Sequence, residues 1–262
     1  MQMRFSSLFL LRRFFTIFVV AQLLVLTLVE ACYPQGASTS VSAEGDTYVC
    51  LVLSPLTWGY TVGSASLVGK FLRIPTKVKA DQFSRINVFG AWNSTTYTTD
   101  ALMSSLSISA AAGNGVGVSV SSMGISSYQK AYRLTDSTSS KTFPLLMVLI
   151  TVDMGKVVSI TWDDTCKWCP ASKCLANTYD FNGAAVSTGN SACWVSDTTC
   201  GFTTASGSVI ASQLCDLQVY VAWTGIDSAG RYFESAAKRF SRLLSTQVTN
   251  YTATLAAAQN SL

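Results

Sequence analysis

In LLMVLITVDMGKVVSITW, residues 145–162, every side chain from Leu145 to Val152 is apolar except Thr151. A helix crossing a bilayer takes about 20 such residues, so this run is far too short to span. An apolar run of this length fits a central strand covered on both faces. Left in the open it would be an aggregation hazard. Asp153-Met154-Gly155-Lys156 turns the chain, and Val157–Trp162 returns beside the first arm.

The same β character extends outward in both directions. Upstream, Thr47–Leu53 is a branched and aromatic run ended by Ser54-Pro55, followed by candidate strands at Ser66–Ile74 and Arg85–Trp92. Leu106, Ile108 and Ala110 alternate with small residues, as do Val116, Val118 and Val120. Asn114-Gly115 stands between these runs and predicts a hairpin, since both residues tolerate positive φ. The GNGVG stretch at Gly113–Gly117 is read as that turn, because it lacks the strand-to-helix context and lysine of a phosphate loop. Tyr128–Leu134 is a further strand candidate. Downstream, Asp216–Trp223 re-enters the sheet and TGIDSAG makes a turn. After Gly230, Tyr232, Phe233, Ala236, Ala237, Phe240 and Leu244 fit either a helical stripe or a strand paired on Val219–Trp223, with the strand favoured. The fold expected is all-β: one antiparallel β-sandwich of roughly 8–10 strands with a disulfide-rich insertion over residues 163–215.

The insertion carries most of the cysteines. Cys166, Cys169, Cys174, Cys193, Cys200 and Cys215 crowd into it, while Cys32 and Cys50 lie near the other end. An even cysteine count in an exported chain implies disulfides. Cys32 and Cys50 are expected to pair, and the other six to form three bridges whose connectivity the spacing leaves open. Zinc would need two converging ligand pairs, and Cys193 and Cys200 match no common module. A thioredoxin-like centre could use Cys166 and Cys169, but Pro170 follows and Cys174 is close enough to capture either thiol. The segment is otherwise rich in Thr, Ser, Asn and Gly, so staples stand in for a core of its own.

Export is read from the N-terminus. Arg4, Arg12 and Arg13 precede the apolar run Phe14–Val29, and Ala31 offers a small residue at the exit. Residues 1–31 thus read as a secretory signal peptide and residues 32–262 as a single extracellular domain. An uncleaved anchor is the alternative, and the one route to membrane association. Arg12-Arg13 also faintly resembles a twin-arginine signal, and Val29–Cys32 a lipoprotein site that Glu30 disfavours. Lipidation would leave an odd cysteine, so parity favours ordinary cleavage.

Composition then limits the chemistry. There is no histidine, which excludes Ser-His-Asp and Cys-His catalysis and histidine-ligated metals. Removing Arg4, Arg12, Arg13 and Glu30 takes the net charge from +4 to +2, with no basic block left for nucleic acid. Charged residues are 12% of the chain, about half the usual share, and hydroxyl side chains replace them. Asp163-Asp164 is the tightest acidic pair and is read as turn and cap residues, with a calcium site or catalysis as alternatives. Asn93 and Asn250 open N-glycan sequons for a eukaryotic source. Trp162, Trp168, Trp194 and Trp223 lie in or beside the insertion and could stack on sugar rings, against a bland role in packing. No catalytic group, metal or cofactor is expected. The function expected is a secreted or cell-surface structural or adhesive glycoprotein, meeting other extracellular proteins or glycans or assembling with itself. A carbohydrate-binding module and a carboxylate-dependent hydrolase are the alternatives.

Overall fold

The computed structural model describes residues 32, 37–56, 72–89, 91, 115–135, 140–180, 184–186, 190–203, 209–211 and 215–239. The signal region before Cys32, Asn93, Asn250 and the 106–110 run lie outside them. Among the described residues the protein is all-β. The upstream strands are β1 (Asp46–Leu56), β2 (Leu72–Lys79), β3 (Ser84–Val88), β4 (Gly115–Ser122), β5 (Ile125–Ser126), β6 (Gln129–Thr135) and β7 (Ser140–Thr142). Then come β8 (Leu145–Asp153), β9 (Lys156–Trp162), β10 (Cys174–Ala176), β11 (Thr178–Tyr179), β12 (Ser191–Cys193) and β13 (Val195–Ser196). A single helical turn, Asp197–Cys200, precedes β14 (Gly201–Thr203), β15 (Val209–Ala211) and β16 (Leu217–Gly225). Eight of these strands have five residues or more, within the number expected; the other eight are two- or three-residue ribbons. No helix among the described residues is long and apolar enough to cross a membrane.

Two sheets dominate. The larger runs β13-β7-β6-β4-β1-β2, with β11 also on β6 and β5 on β4; the smaller runs β3-β16-β8-β9. Period-two alternation aims one face of each sheet at a shared core. Val49, Leu51 and Leu53 of β1 and Val116, Val118 and Val120 of β4 meet Leu146, Val148, Ile150 and Val152 of β8 and Val219, Val221 and Trp223 of β16. Each such fully buried aliphatic side chain contributes roughly 1.5–3 kcal/mol. Leu145 and Met147 point the other way, into a smaller cluster with Ala222 that Phe83, Leu149 and Tyr220 flank. β8 is therefore central and covered on both faces along its first half, as its apolar run predicts. Its hairpin with β9 closes at Asp153↔Lys156, with Met154 at φ 46° and Gly155 at φ 81°.

The structure corrects several expectations. β1 does not stop at Ser54-Pro55 but continues to Leu56, since Pro55 pairs only with Val116 after β2 has ended at Leu53↔Leu72. β2 runs past the expected end at Ile74, through Pro75 to Lys79, while residues 66–71 lie outside the described residues. It is an edge strand, where a residue without an N–H is tolerated. The first arm of the hairpin expected at Asn114-Gly115, with Asn114 itself, lies outside the described residues; its second arm, β4, is flanked by β1 on one side and by β6 and β5 on the other. Gly115 is a strand residue paired with Leu56. A Cβ there would lie 1.7 Å from the Arg133 carbonyl oxygen, so its missing side chain serves close approach, not turning. The pairing of β16 with β8 is parallel, a departure from a purely antiparallel sandwich. A parallel pair needs a long crossover, and β9 with the cysteine-rich segment supplies it. From Arg231 to Arg239 neither alternative forms, and Phe240 and Leu244 lie outside the described residues. Both edges of β16 are taken, by β3 and β8, so Tyr232 makes one bridge to Ile226 and a 3-10 turn follows at Ser235–Lys238.

Every cysteine is oxidised, in the pairs Cys32–Cys50, Cys166–Cys174, Cys169–Cys193 and Cys200–Cys215. Cys166 and Cys169 bond to different partners, which removes both the thioredoxin-like and the zinc readings. Cys174 and Cys193 face each other across β10 and β12, and each reaches to the short turn Cys166–Trp168 or its cap. Two bridges thus bolt that turn onto the ribbon. The segment does not stand apart from the sandwich: β11 extends β6 at Thr178↔Lys130, and β13 extends β7 at Val195↔Thr142.

Candidate functional site

The end of β9 lies over the start of β6, and β11 folds in beside them. Between these elements is a half-open pocket of about 200 Å³. Ile160 and Trp162 of β9 and Val186 form apolar walls, Tyr128 stands at the mouth, and Thr161, Thr178 and Asn190 supply polar edges. Tyr128 is 52% exposed and Trp162 only 5%, so one residue is presented to solvent and the other is embedded in the wall. The indole Nε1 of Trp162 donates to the Tyr128 carbonyl oxygen at 2.8 Å. The Asn190 side-chain amide donates to the Trp162 carbonyl oxygen. Three lining residues are therefore mutually anchored. None of the described residues that line the pocket carries a carboxylate.

Behind this lining is the most unusual side chain of the molecule. Lys130, on β6, is wholly buried. Its Nζ donates to the Asn190 carbonyl oxygen and to Thr178 Oγ1, the latter at 3.4 Å. Thr178 Oγ1 in turn donates to the same Asn190 carbonyl at 3.4 Å. Burial pushes the lysine down to about 7, against the pull of Asp164 and Asp163. The amine ties two separate points of the cysteine-rich segment to the large sheet. Its partners are themselves pocket residues, while the amine itself is not among the lining residues.

The acidic pair finds structural work. Asp164 Oδ1 accepts from the Cys166 amide at 2.7 Å, an Asx turn into the stapled 3-10 turn. Asp163 is buried, with its amide donating to the Met147 carbonyl oxygen at 2.9 Å. Among the described residues no three of Cys, Asp and Glu converge as a metal site.

The tryptophans separate. Trp162 reaches the pocket. Trp223 is completely buried against Phe233, ring centres 6.2 Å apart, so it cannot stack on a ligand; its alternation on β16 aims it into the core. The Trp194 ring is half-buried and already bears the Lys173 ammonium 3.9 Å from its centre, with Lys141 at 5.6 Å. Of Trp168 only the backbone, in the turn Cys166–Trp168, is described. Sequence reasoning missed Tyr128 and Lys130, which lay inside a correctly placed strand region. A lysine amid Gln129, Ala131 and Tyr132 was the available signal.

No curated protein and no solved structure matches the chain. The family model described as Uncharacterised protein DDB_G0273449 matches residues 80–253, from the end of the β1–β2 ribbon past β16, and the chain belongs to that family.

Proposed function

We propose that this is an exported glycoprotein of a cell surface or extracellular matrix, acting by adhesion or assembly and not by catalysis. The observation that carries the reading is the oxidation of all eight cysteines into four bridges, three of them in the crossover that joins the sheets. Such bridges persist outside reducing compartments. The sparse charge and abundant hydroxyls of the chain suit a surface kept wet without strong ionic fields. A hydrolase would need facing carboxylates at the pocket, and the described lining residues supply none.

Non-reduced peptide mass mapping of the protein secreted by an expressing cell tests this. The expected result is a mature N-terminus near Cys32, the four pairs above, and glycan on Asn93 or Asn250. Retention in the cytosol with free thiols would overturn it. Electron microscopy of the secreted protein tests assembly, with persistent monomers at high concentration counting against that part.

A further inference from the structure

We infer that the pocket between β6, β9 and β11 is a binding site for a single neutral pyranose ring. The argument rests on shape and lining together. At about 200 Å³ the cavity is below the range that holds drug-sized ligands, so it takes one ring and not a chain or a lipid. A pyranose has a C–H face and a girdle of hydroxyls. The lining has the same two halves: the aromatic side chains of Tyr128 and Trp162 with Ile160 for the face, and Thr161, Thr178 and Asn190 for the hydroxyls.

Other ligand classes fit less well. An anion would need a cation in the wall. The nearby cation, Lys130, is spent on Asn190 and Thr178 and is faced by Asp163 and Asp164. A divalent metal would need carboxylates, and none is found among the described lining residues. A nucleotide would bring phosphates with no partner. The site is also preorganised. The Trp162 indole is held by Tyr128, Asn190 is held by both Trp162 and Lys130, and little side-chain entropy remains to be lost on binding. The Lys130 clamp thereby acquires a purpose, since it fixes the polar edge of the pocket from behind.

This inference deepens the adhesive reading and rests on it for its setting, since saccharides are what an exported surface protein meets. The test is a titration of the full, disulfide-intact protein with methyl α-glucoside, α-galactoside, α-mannoside and N-acetylglucosamine, followed by saturation-transfer NMR and tryptophan fluorescence, with adenosine as the aromatic control. The expected result is binding of at least one sugar with a Kd of about 1 mM and a fluorescence change from Trp162. Tyr128→Ala, at an exposed position, weakens that binding by about tenfold while Tyr128→Phe retains it. Thr161→Val, also exposed, weakens it with the fold unchanged by circular dichroism. No response to any of the sugars at about 50 mM, equal binding by Tyr128→Ala, or tighter binding of adenosine overturns the proposal. Mass mapping would still stand in each of those cases, so failure of the ligand and failure of the extracellular reading are separable.

Discussion

Two residues show how much single positions carry. Lys130 is buried on β6 with its folded value near 7 against an ordinary 10.5. Between these values the unfolded chain holds more protons than the folded one, so stability rises with pH across that window. Denaturant unfolding should show a gain of roughly 2 kcal/mol from pH 7 to pH 9, which Lys130→Met abolishes. The same substitution leaves the Asn190 carbonyl without its ammonium donor, and Asn190 should exchange its neighbouring amides faster. Gly225, the last residue of β16, has φ 99°. A Cβ there would fall 1.8 Å from the Val152 carbonyl oxygen. Gly225→Ala should cost at least roughly 1–3 kcal/mol, read as a lowered denaturation midpoint with unchanged m-value. The glycine was visible in TGIDSAG as a turn signal. Its use at the end of a paired strand was not, because the positive φ and the approach of β8 both come from how the strands pair.

At the scale of elements, the stapled crossover is where local chemistry and long-range packing meet. Cys200–Cys215 closes a loop of 15 residues and both sulfurs lie in the main core. The Tyr132 hydroxyl donates to the Cys215 carbonyl oxygen at 2.7 Å, so the bridge is also pinned to β6. Replacing both cysteines with alanine should destabilise by about 3 kcal/mol, a fall in Tm of roughly 6–12 °C by calorimetry. The pair Cys166–Cys174 and Cys169–Cys193 does different work: it holds a turn against a ribbon too short to persist alone. The need for bridges here was legible, since the segment has few apolar residues. The connectivity was not. Spacing alone left fifteen pairings open, and the cross-strand meeting of Cys174 and Cys193 is what sets the partners of Cys166 and Cys169.

For the whole molecule, one buried carboxylate joins the segment before β1 to the turn after β16. Asp227, in the turn after β16, accepts from the amides of Ala229, Arg231 and Ala43 and from the Arg231 side chain. Arg231 reaches on to Glu44 and Ser42. The segment before β1 is thereby strapped to the turn, with Val41 donating to Gly155 of the β8–β9 turn at 2.8 Å. The Arg231 amide is the main cause that holds Asp227 down at about 2, assisted by the Ala43 and Ala229 amides. A depressed carboxylate stabilises above its ordinary 3.8 and loses that contribution as pH falls toward about 2. Asp227→Asn should therefore loosen the strap, seen as faster amide exchange at Ala43 and proteolysis before Asp46. Its stability deficit should close as the solution is acidified through that window.

What the sequence determined by itself was whatever depends on short range. The apolar run Leu145–Val152 implied a central strand, Asp153–Lys156 a turn, and the even cysteines a stapled chain, because composition and period-two alternation act within a few residues. Tertiary structure alone decided who neighbours whom. The partners of β4, the parallel seat of β16 beside β8, the edge position that admits Pro75, and the burial of Trp223 while Trp162 reaches a pocket all follow from contacts between distant segments. So does the fate of Lys130, an ordinary strand lysine until β11 and Asn190 close over it. Strand pairing satisfies backbone groups with no regard to side-chain identity, so local sequence marks the strands but leaves their order to global packing.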